Sequence, residues 1–592
     1  MYLVLIETSG NQNYIFSTNR LRENVGASEL TCRAGTQWVL EAVKEVGGTD
    51  LWNSHSQQFD NQQLRNNLLN QPELENTNEK VKVEVIIATS GKALLLTKNK
   101  DIAKEIIKKV TTRALKEAPG LDICGVYEKF NWDTQLLSDI NKQLHKKFEG
   151  VRSRRPGQNT RFMRLPVVDD CNSSGLPASQ LGQVGDRLVP LSLTSLNKRD
   201  PHLSQESFKR VETILQIGEQ NPINLSFNLE KLEDKFKEIE WLAVIHADGN
   251  GLGEIILNFH DQLEKNSTIP NKNREYITKF RQFSIALDLC TEQAFRTALK
   301  NTFITEEIKE KNQKVLLPII PLVLGGDDLT VICEGKKALQ FTYEFLKAFE
   351  EETKSEEIQA GIIPQIAKKA LGCPRLSACA GIAIIKPHFP FSAAYQLAEE
   401  LMQSAKQIKK KLQRRDKKTP WPCSAIDFHI LYDTSGVDLK LIRDKLTCDR
   451  NQNSETRLHA RPYIITELES EQHELDNPES SLEWAQKHSW EKLQKRVQAL
   501  NAEEDGKRLL PNTKIHDLRS GLFLGKEKAD ARLQLICDRY ESAGLNIATE
   551  LLANDLPPSL FWSETELKDN QEKTIQVTGF LDALDAVDFL KK

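Results

Sequence analysis

The sequence predicts an α+β protein made of two units with βαββαβ order and a helical C-terminal domain. Three observations carry this expectation. A strand–helix–hairpin–helix–strand succession fills the first 130 residues, the same succession returns after residue 236, and the chain beyond residue 430 turns to charged, amphipathic helical segments. The expected domains are 1–130, a less regular connection 131–235, a second unit 236–430, and a C-terminal domain 431–592.

In the first unit, MYLVLIE (Met1–Glu7) is a buried strand by its continuous apolar character, and Tyr14–Val46 places apolar residues at helical spacing. Residues 48–80 are polar and rich in Asn and Gln, which predicts a long loop with a short helix. VKVEVIIATSGKALLLT (Val81–Thr97) holds two β-rich runs around Thr-Ser-Gly-Lys, a hairpin. A helix over Lys100–Ala118 and a strand over Leu121–Tyr127 complete the split βαβ order of ferredoxin-like domains.

Residues 128–235 are irregular and include the basic segment GVRSRRPGQNTRFMR. The second unit then repeats the order: a strand and turn in WLAVIHADGNGLG (Trp241–Gly253), a helix over Arg274–Lys300, a hairpin over Pro318–Gly335, a helix over Lys336–Thr353, a strand over Leu376–Pro387 and a further helix over Phe391–Leu412. The copies share element order and hairpin position rather than residues, so they form a diverged internal repeat.

The chain has 592 residues, 39% hydrophobic and 28% charged, the composition of a soluble globular protein large enough for several domains. Its 80 basic and 84 acidic residues leave a net charge of −4, so bulk charge does not point to nucleic acid and any anion site must be local. No run approaches the roughly 20 apolar residues of a membrane span. The opening residues lack a basic leader and a small-residue cleavage site. The ten cysteines form no CxxC pair, which suits free thiols in a reducing compartment. A cytoplasmic protein without membrane contact is therefore expected. Aromatic residues, 7% of the chain, form no stripe on which single-stranded RNA would stack.

The chemistry concentrates in the second unit. PLVLGGDDLTVIC (Pro321–Cys333) sets two carboxylates and two glycines inside an apolar run. This is either a plain hairpin turn with its acids in water or a metal site at a turn tip. Asp248 ends the first strand of the same unit. In a split βαβ sheet the first strand and the hairpin are central neighbours, so Asp248 is expected near Asp327 and Asp328. Three carboxylates so close repel unless a cation joins them, and Mg²⁺ (or Mn²⁺) favours oxygen ligands of this kind. Gly325 and Gly326 would let a phosphate approach the backbone. DGNGLG (Asp248–Gly253) is a Gly-rich strand-to-helix turn of the type that cradles phosphates.

These segments carry a resemblance. GGDD between β-runs, the preceding strand ending in Asp, and the later AEELMQSAK resemble the palm domain of nucleotide cyclases with GGDEF-type hairpins. More narrowly, the chain resembles the large two-palm polymerase/cyclase subunit of type III CRISPR-Cas effector complexes. IETSGNQNYIF matches its first palm. HADGNGLG, LGGDDLTVIC, LSACAGIAIIKPHFPF and AEELMQSAK match its second, and ARPYIITELE (Ala460–Glu469) the stretch that leaves it. The resemblance covers roughly residues 1–130 and 236–470.

It implies that Asp248, Asp327 and Asp328 hold the metal, with Asp327 and Asp328 catalytic and Asp328 also suited to activating a 3′-hydroxyl. Lys406 would pair with the triphosphate, and Gly249, Asn250, Gly251, Leu252, Gly253, Gly325 and Gly326 would surround the nucleotide. In the turn of the first copy, Ser90 either offers a donor to a second nucleotide or belongs to a mere turn. Thr89–Lys92 holds no carboxylate where GGDD stands in the second copy, so the first copy is expected to be non-catalytic.

Three departures stand out. Position 250 is Asn where the family often has Asp, no His-Asp pair precedes the first palm, and the paired-cysteine zinc module is reduced to the lone Cys171. The functional expectation is a Mg²⁺-dependent nucleotidyltransferase that makes cyclic oligonucleotides from ATP or GTP as a signal in antiviral defence. Its expected partners are CRISPR effector subunits and guide or target RNA. The alternative is a catalytically inactive nucleotide-binding scaffold subunit, and a template-copying polymerase is a third reading. Arg152, Arg154, Arg155, Arg161 and Arg164 are either a phosphate-binding group or a solvated basic loop, and His246 either a substrate contact or a core histidine.

Overall fold

The structure is a computed structural model that describes residues 1–52, 61–76, 81–89, 91–216, 229–263, 267–304, 316–415, 419–432, 437–449, 454–504, 507–542, 554–555, 558–568 and 571–590. Ser90 lies outside them. In the first unit, strand β1 (Tyr2–Ser9) leads through short helices to α1 (Leu21–Gly35), then to a hairpin of β2 (Val83–Thr89) and β3 (Lys92–Thr97). Helix α2 (Lys100–Glu117) starts at Asn99, whose side chain accepts from the Asp101 amide at 2.7 Å, and strand β4 (Asp122–Lys129) follows. The sheet order is β2-β3-β1-β4, all antiparallel, the order of the ferredoxin-like pattern.

The second unit repeats it with β5 (Leu242–Gly249), the long helix α3 (Ile269–Phe303), the hairpin β6 (Ile319–Gly325) and β7 (Asp328–Glu334), helix α4 (Gly335–Lys354) and β8 (Ala378–Ile385). Their order β8-β5-β7-β6 is the same as in the first sheet. Here the sheet grows by two strands. After helix α5 (Phe391–Ala405), β9 (Ala425–Ile430) lies parallel to β8, and the two-residue strand β10 (Tyr463–Ile464) pairs with β9. The palm-type sheet therefore reaches past residue 430 into the stretch expected to be purely helical.

Beyond it, the C-terminal part carries helices such as Pro478–Lys487, Trp490–Leu500 and Lys526–Ser542, but also a four-stranded sheet. That sheet runs Thr447–Cys448, Ser454–Arg457, Gln571–Val577, Trp562–Lys568. Ser454–Arg457 and Gln571–Val577 pair in parallel across more than a hundred residues, a partnership with no local sequence signal.

Helix α3 joins the two units. Its Phe280 and Phe283 belong to one core with Leu3 and Leu94 of the first sheet and Ile245 and Val331 of the second. Each such buried side chain contributes about 1.5–3 kcal/mol. Charged contacts add direction. Arg274 reaches Glu84 at 2.7 Å and also binds Glu75, Arg281 reaches Glu84 at 2.7 Å, and Arg65 grips Glu292 at 2.7 and 2.9 Å. The Glu84 carboxylate is wholly buried and two guanidiniums hold it ionised, below the usual carboxylate range despite its burial. Phe16 stacks on Tyr395 of α5 with ring centroids 4.3 Å apart. Among the described residues no helix is long and apolar enough to cross a membrane.

Candidate active site at the Gly-Gly-Asp-Asp hairpin

Register places the acids. In the antiparallel pair β5–β7, His246 faces Thr330 and Asp248 faces Asp328, so these four side chains share one sheet face. The hairpin between β6 and β7 turns through Gly326 and Asp327, with Gly325 opposite Asp328. Gly326 has φ +61°, the left-handed conformation that a two-residue hairpin needs and that glycine adopts without cost. Helix α3 holds the turn from behind. The Gly326 amide donates to Asp288 at 2.5 Å, and the Thr291 hydroxyl donates to the Gly326 carbonyl at 2.5 Å. Nothing in the sequence marks Asp288 or Thr291 for that task.

Helix α5 crosses the acidic face closely. A Cβ on Gly381 of β8 would stand 2.0 Å from the Ala398 carbonyl, so only glycine permits this approach. Tyr395, Glu399, Met402 and Lys406 follow one another at helical spacing, and three of them reach the site. Lys406 Nζ donates to the Asp248 carboxylate and, at 3.2 Å, to the Gly249 carbonyl. Glu399 lies 3.1 Å from His246 Nε2 and accepts from the Tyr395 hydroxyl at 3.2 Å. Glu399 and Tyr395 are not among the site residues expected from the sequence, although their helical spacing from Lys406 marks them.

The electrostatics follow from this crowding. Burial and the neighbouring carboxylates push Asp328 up to about 7. Burial and the Asp248 charge push Asp327 up to about 6. Asp328 Oδ1 is buried and accepts no hydrogen bond; His246 Nδ1 stands 3.5 Å away and lies closer, 3.1 Å, to Thr330 Oγ1. His246 is buried, which disfavours its charge, but the bond to Glu399 and the charges of Asp328, Glu399 and Asp248 outweigh that and raise its pKa. Glu399 is held down to about 2, first by the hydrogen bond from His246. His246 is thus neither a plain core residue nor an exposed contact: it is a buried group that ties Glu399 to the acids.

The expected nucleotide turn divides. Gly249 must be glycine, since a Cβ there would meet Leu252 Cδ1 at 2.4 Å and Asp327 Cβ at 2.8 Å. Gly251 has φ +74°, and beside Gly253 and Gly326 a Cβ would find open space. Leu252 is a core residue, 3% exposed, so its side chain closes over Gly249 instead of facing a ligand. Asn250 donates from its side-chain nitrogen to Ser377 Oγ and the Cys423 carbonyl, both at 3.0 Å, and its backbone amide donates to the Ser377 carbonyl at 2.8 Å. A carboxylate there would lack the proton that the Cys423 carbonyl accepts, which accounts for Asn over Asp. Among the described residues, no three His, Cys, Asp or Glu side chains are already gathered at ligating distances.

In the first sheet the register that opposes Asp248 and Asp328 opposes Glu7 and Lys92, paired at 3.3 Å. A cavity of about 320 Å³ lies between the units, with Asn11, Gln12, Thr89 and Lys92 on one wall and Gly325, Gly326, Asp327 and Asp328 on the other. Of the arginines of the connection, Arg155 and Arg161 are half-buried and both bind Asp122, Arg164 is exposed and donates to the Gly175 carbonyl at 2.6 Å, and Arg152 and Arg154 are exposed.

Residues 241–416 match the family described as Cas10/Cmr2, second palm domain. No curated protein matches the chain. Among solved structures it is similar to the apo Csm1-Csm4 cassette, with 13% identity and a TM-score of 0.39 over 71% of this chain and 56% of that chain. The same cassette in complex with cA4 gives 13% identity and a TM-score of 0.38 over 70% and 55%. The Csm1-Csm4 subcomplex of the type III-A CRISPR-Csm interference complex gives 14% and 0.37 over 71% and 56%. The matched region is thus little more than half of each of those chains.

Proposed function

We propose, from the premise that residues 241–416 are a Cas10/Cmr2 second palm domain, that this protein is a divalent-cation-dependent nucleotidyltransferase making cyclic oligoadenylates from ATP within an RNA-guided effector complex. The observation that carries this reading is the cross-strand opposition of Asp248 and Asp328 beside Asp327, with Asp328 Oδ1 buried and without a donor. Carboxylates crowded in this way and an orphaned buried oxygen fit a hard cation. Asp248, Asp327 and Asp328 would hold Mg²⁺ or Mn²⁺, which when bound neutralises charge on the attacking and leaving oxygens of phosphoryl transfer.

The chain's own groups supply the rest. Lys406, beside the Gly249 carbonyl, pairs with a triphosphate and exchanges its Asp248 partner for it. Asp328 is also suited to take the proton of the attacking 3′-hydroxyl, with His246 and Glu399 packed behind it. The cavity between the units is of the size that small ligands occupy, and Gly326 leaves the turn tip open to phosphate. Lys92 already neutralises Glu7 in the first sheet, which supports a non-catalytic first unit.

A scaffold reading is favoured by two observations: Asp248 is engaged by Lys406, and the Asn250 amide nitrogen is taken up by Ser377 and Cys423. The two readings separate on incubation of purified protein with labelled ATP or GTP and Mg²⁺ or Mn²⁺, with and without effector subunits and target RNA. Pyrophosphate and cyclic products that vanish in Asp327→Ala/Asp328→Ala support the enzyme. Nucleotide binding without product under every condition supports the scaffold.

A further inference from the structure

The connection between the two units contains a second organised cluster that owes nothing to nucleotide chemistry. Cys171–Gly175 is a turn and Ser192–Ser195 the first turn of the helix Leu193–Lys198, which Ser192 caps; Cys171 and Ser174, and Ser192 and Ser195, each stand three apart. That is the C-x2-C spacing of tetrahedral zinc knuckles. Gly175 has φ +63°, the left-handed residue that closes such a turn, and its amide donates to the Cys171 carbonyl at 3.1 Å. The hairpin Gln180–Val184 and Arg187–Leu191 lies between the turns and brings them face to face.

The four outer side chains meet. Ser174 Oγ lies 3.2 Å from Ser192 Oγ, Ser192 Oγ donates to Ser195 Oγ at 3.3 Å, and Cys171 Sγ donates to Ser195 Oγ at 3.4 Å. Ser173 joins, its hydroxyl 3.0 Å from Ser195 Oγ and 3.5 Å from Cys171 Sγ. In a zinc site with Zn–S bonds near 2.3 Å, ligand atoms are about 3.8 Å apart. Three pairs among the four outer atoms stand 3.2–3.4 Å apart, and Cys171, Ser192 and Ser195 are buried. The residues do not suit zinc: one thiol and three alcohols cannot supply the anionic ligand set that a structural site needs. Hydroxyls donate and accept among themselves, so such a cluster needs no cation to hold it together, whereas four thiolates would repel without one.

We infer that the module around residues 171–195 has the spacing of a zinc knuckle but is held by a hydrogen-bonded hydroxyl cluster, folds without metal, and becomes a zinc site when thiols are placed at positions 174, 192 and 195. It agrees with the reduction of the paired-cysteine zinc module to the lone Cys171, and it stands whether or not the GGDD hairpin is catalytic.

The test uses the full chain and its Ser174→Cys/Ser192→Cys/Ser195→Cys variant. The parent is expected to contain no stoichiometric zinc by elemental analysis, and its unfolding temperature to be unmoved by a chelator. The variant is expected to take up one Co²⁺ per chain with the visible absorption of a tetrahedral thiolate site. Its Zn²⁺ affinity should exceed the parent's residual binding at least about a thousandfold. Stoichiometric zinc in the parent, chelator-induced melting of the parent, or a folded variant with no tetrahedral Co²⁺ spectrum each overturns the inference. Should the variant fold only with Zn²⁺ present, the metal-dependent fold is itself the expected gain. Should it fold under neither condition, Ser195→Ala decides: faster proteolysis inside residues 166–200, unaffected by zinc, supports the cluster, and unchanged proteolysis overturns it.

Discussion

Asp248 and Asp328 stand directly opposite one another on adjacent antiparallel strands. Like charges in that relation destabilise a sheet unless a proton or a cation intervenes. The first sheet puts Lys92 opposite Glu7 at the same place and so carries its own cation. At this cross-strand pair the two units differ by a charge inversion, Lys92 in the first against Asp328 in the second, and the candidate chemistry belongs to the unit without a lysine at that position.

That opposition gives metal-free protein a characteristic pH dependence. Asp328 sits near 7 in the folded chain, against about 3.9 for an unfolded aspartate. Between these values the native state holds a proton that the unfolded chain has released, so this group's contribution to stability falls as pH rises from 4 to 7. Asp328→Asn is expected to raise the calorimetric unfolding temperature at pH 8 and leave it unchanged at pH 4. The gain is about 1 kcal/mol, discounted because the side chain is 31% exposed. Equal shifts at both pH values would remove the electrostatic account.

Lys406 competes with any cation for Asp248. Lys406→Gln is therefore expected to tighten Mn²⁺ binding in the absence of nucleotide, severalfold by electron paramagnetic resonance titration, while weakening ATP binding. Looser Mn²⁺ binding in the variant would show that the lysine supports the acids instead of shielding them.

Glu399 supports His246 from the side away from the hairpin. With its partner changed to Gln, His246 loses its first stabilising bond and its pKa should drop from its raised value, as followed by NMR of the ring. The pair's effect on stability has two edges. Glu399, lowered to about 2, contributes fully above its unfolded pKa near 4.5 and loses this as pH falls toward 2. His246, raised, contributes below 6.5 and loses this as pH climbs past its folded value. A His246 titration unmoved by Glu399→Gln would contradict this arrangement.

Gly249→Ala tests the close packing under Asp327. The new methyl would have to displace Leu252 and the Asp327 side chain. The expected protein is folded, modestly less stable, and reduced in product formation at least about tenfold if Asp327 acts as proposed. Retained turnover with normal stability would mean that the turn tolerates movement of Asp327.

Glu84→Gln tests the joint between the units. It leaves Arg274 and Arg281 facing a neutral amide in a buried place, and a loss of about 3–5 kcal/mol in denaturant unfolding is expected. A change below about 1 kcal/mol would place the cohesion of the units in the apolar contacts of α3 alone.

The sequence by itself determined the repeated βαββαβ order and the adjacency of Asp248 to the Asp327–Asp328 corner. Both depend on local periodicity and on where strands end, which neighbouring residues encode. It also carried an unread signal for Tyr395 and Glu399 in their helical spacing from Lys406. Only the tertiary structure decided what required register or distant pairing. The Lys92 inversion became visible only when β1 and β3 were set side by side. The inward turn of Asn250 depends on Ser377 and Cys423, each more than a hundred residues away, and the C-terminal sheet joins strands too far apart to announce each other. The division has one physical cause: periodicity and turn chemistry are properties of adjacent residues, whereas the charge that a side chain meets across a sheet depends on how the whole chain packs.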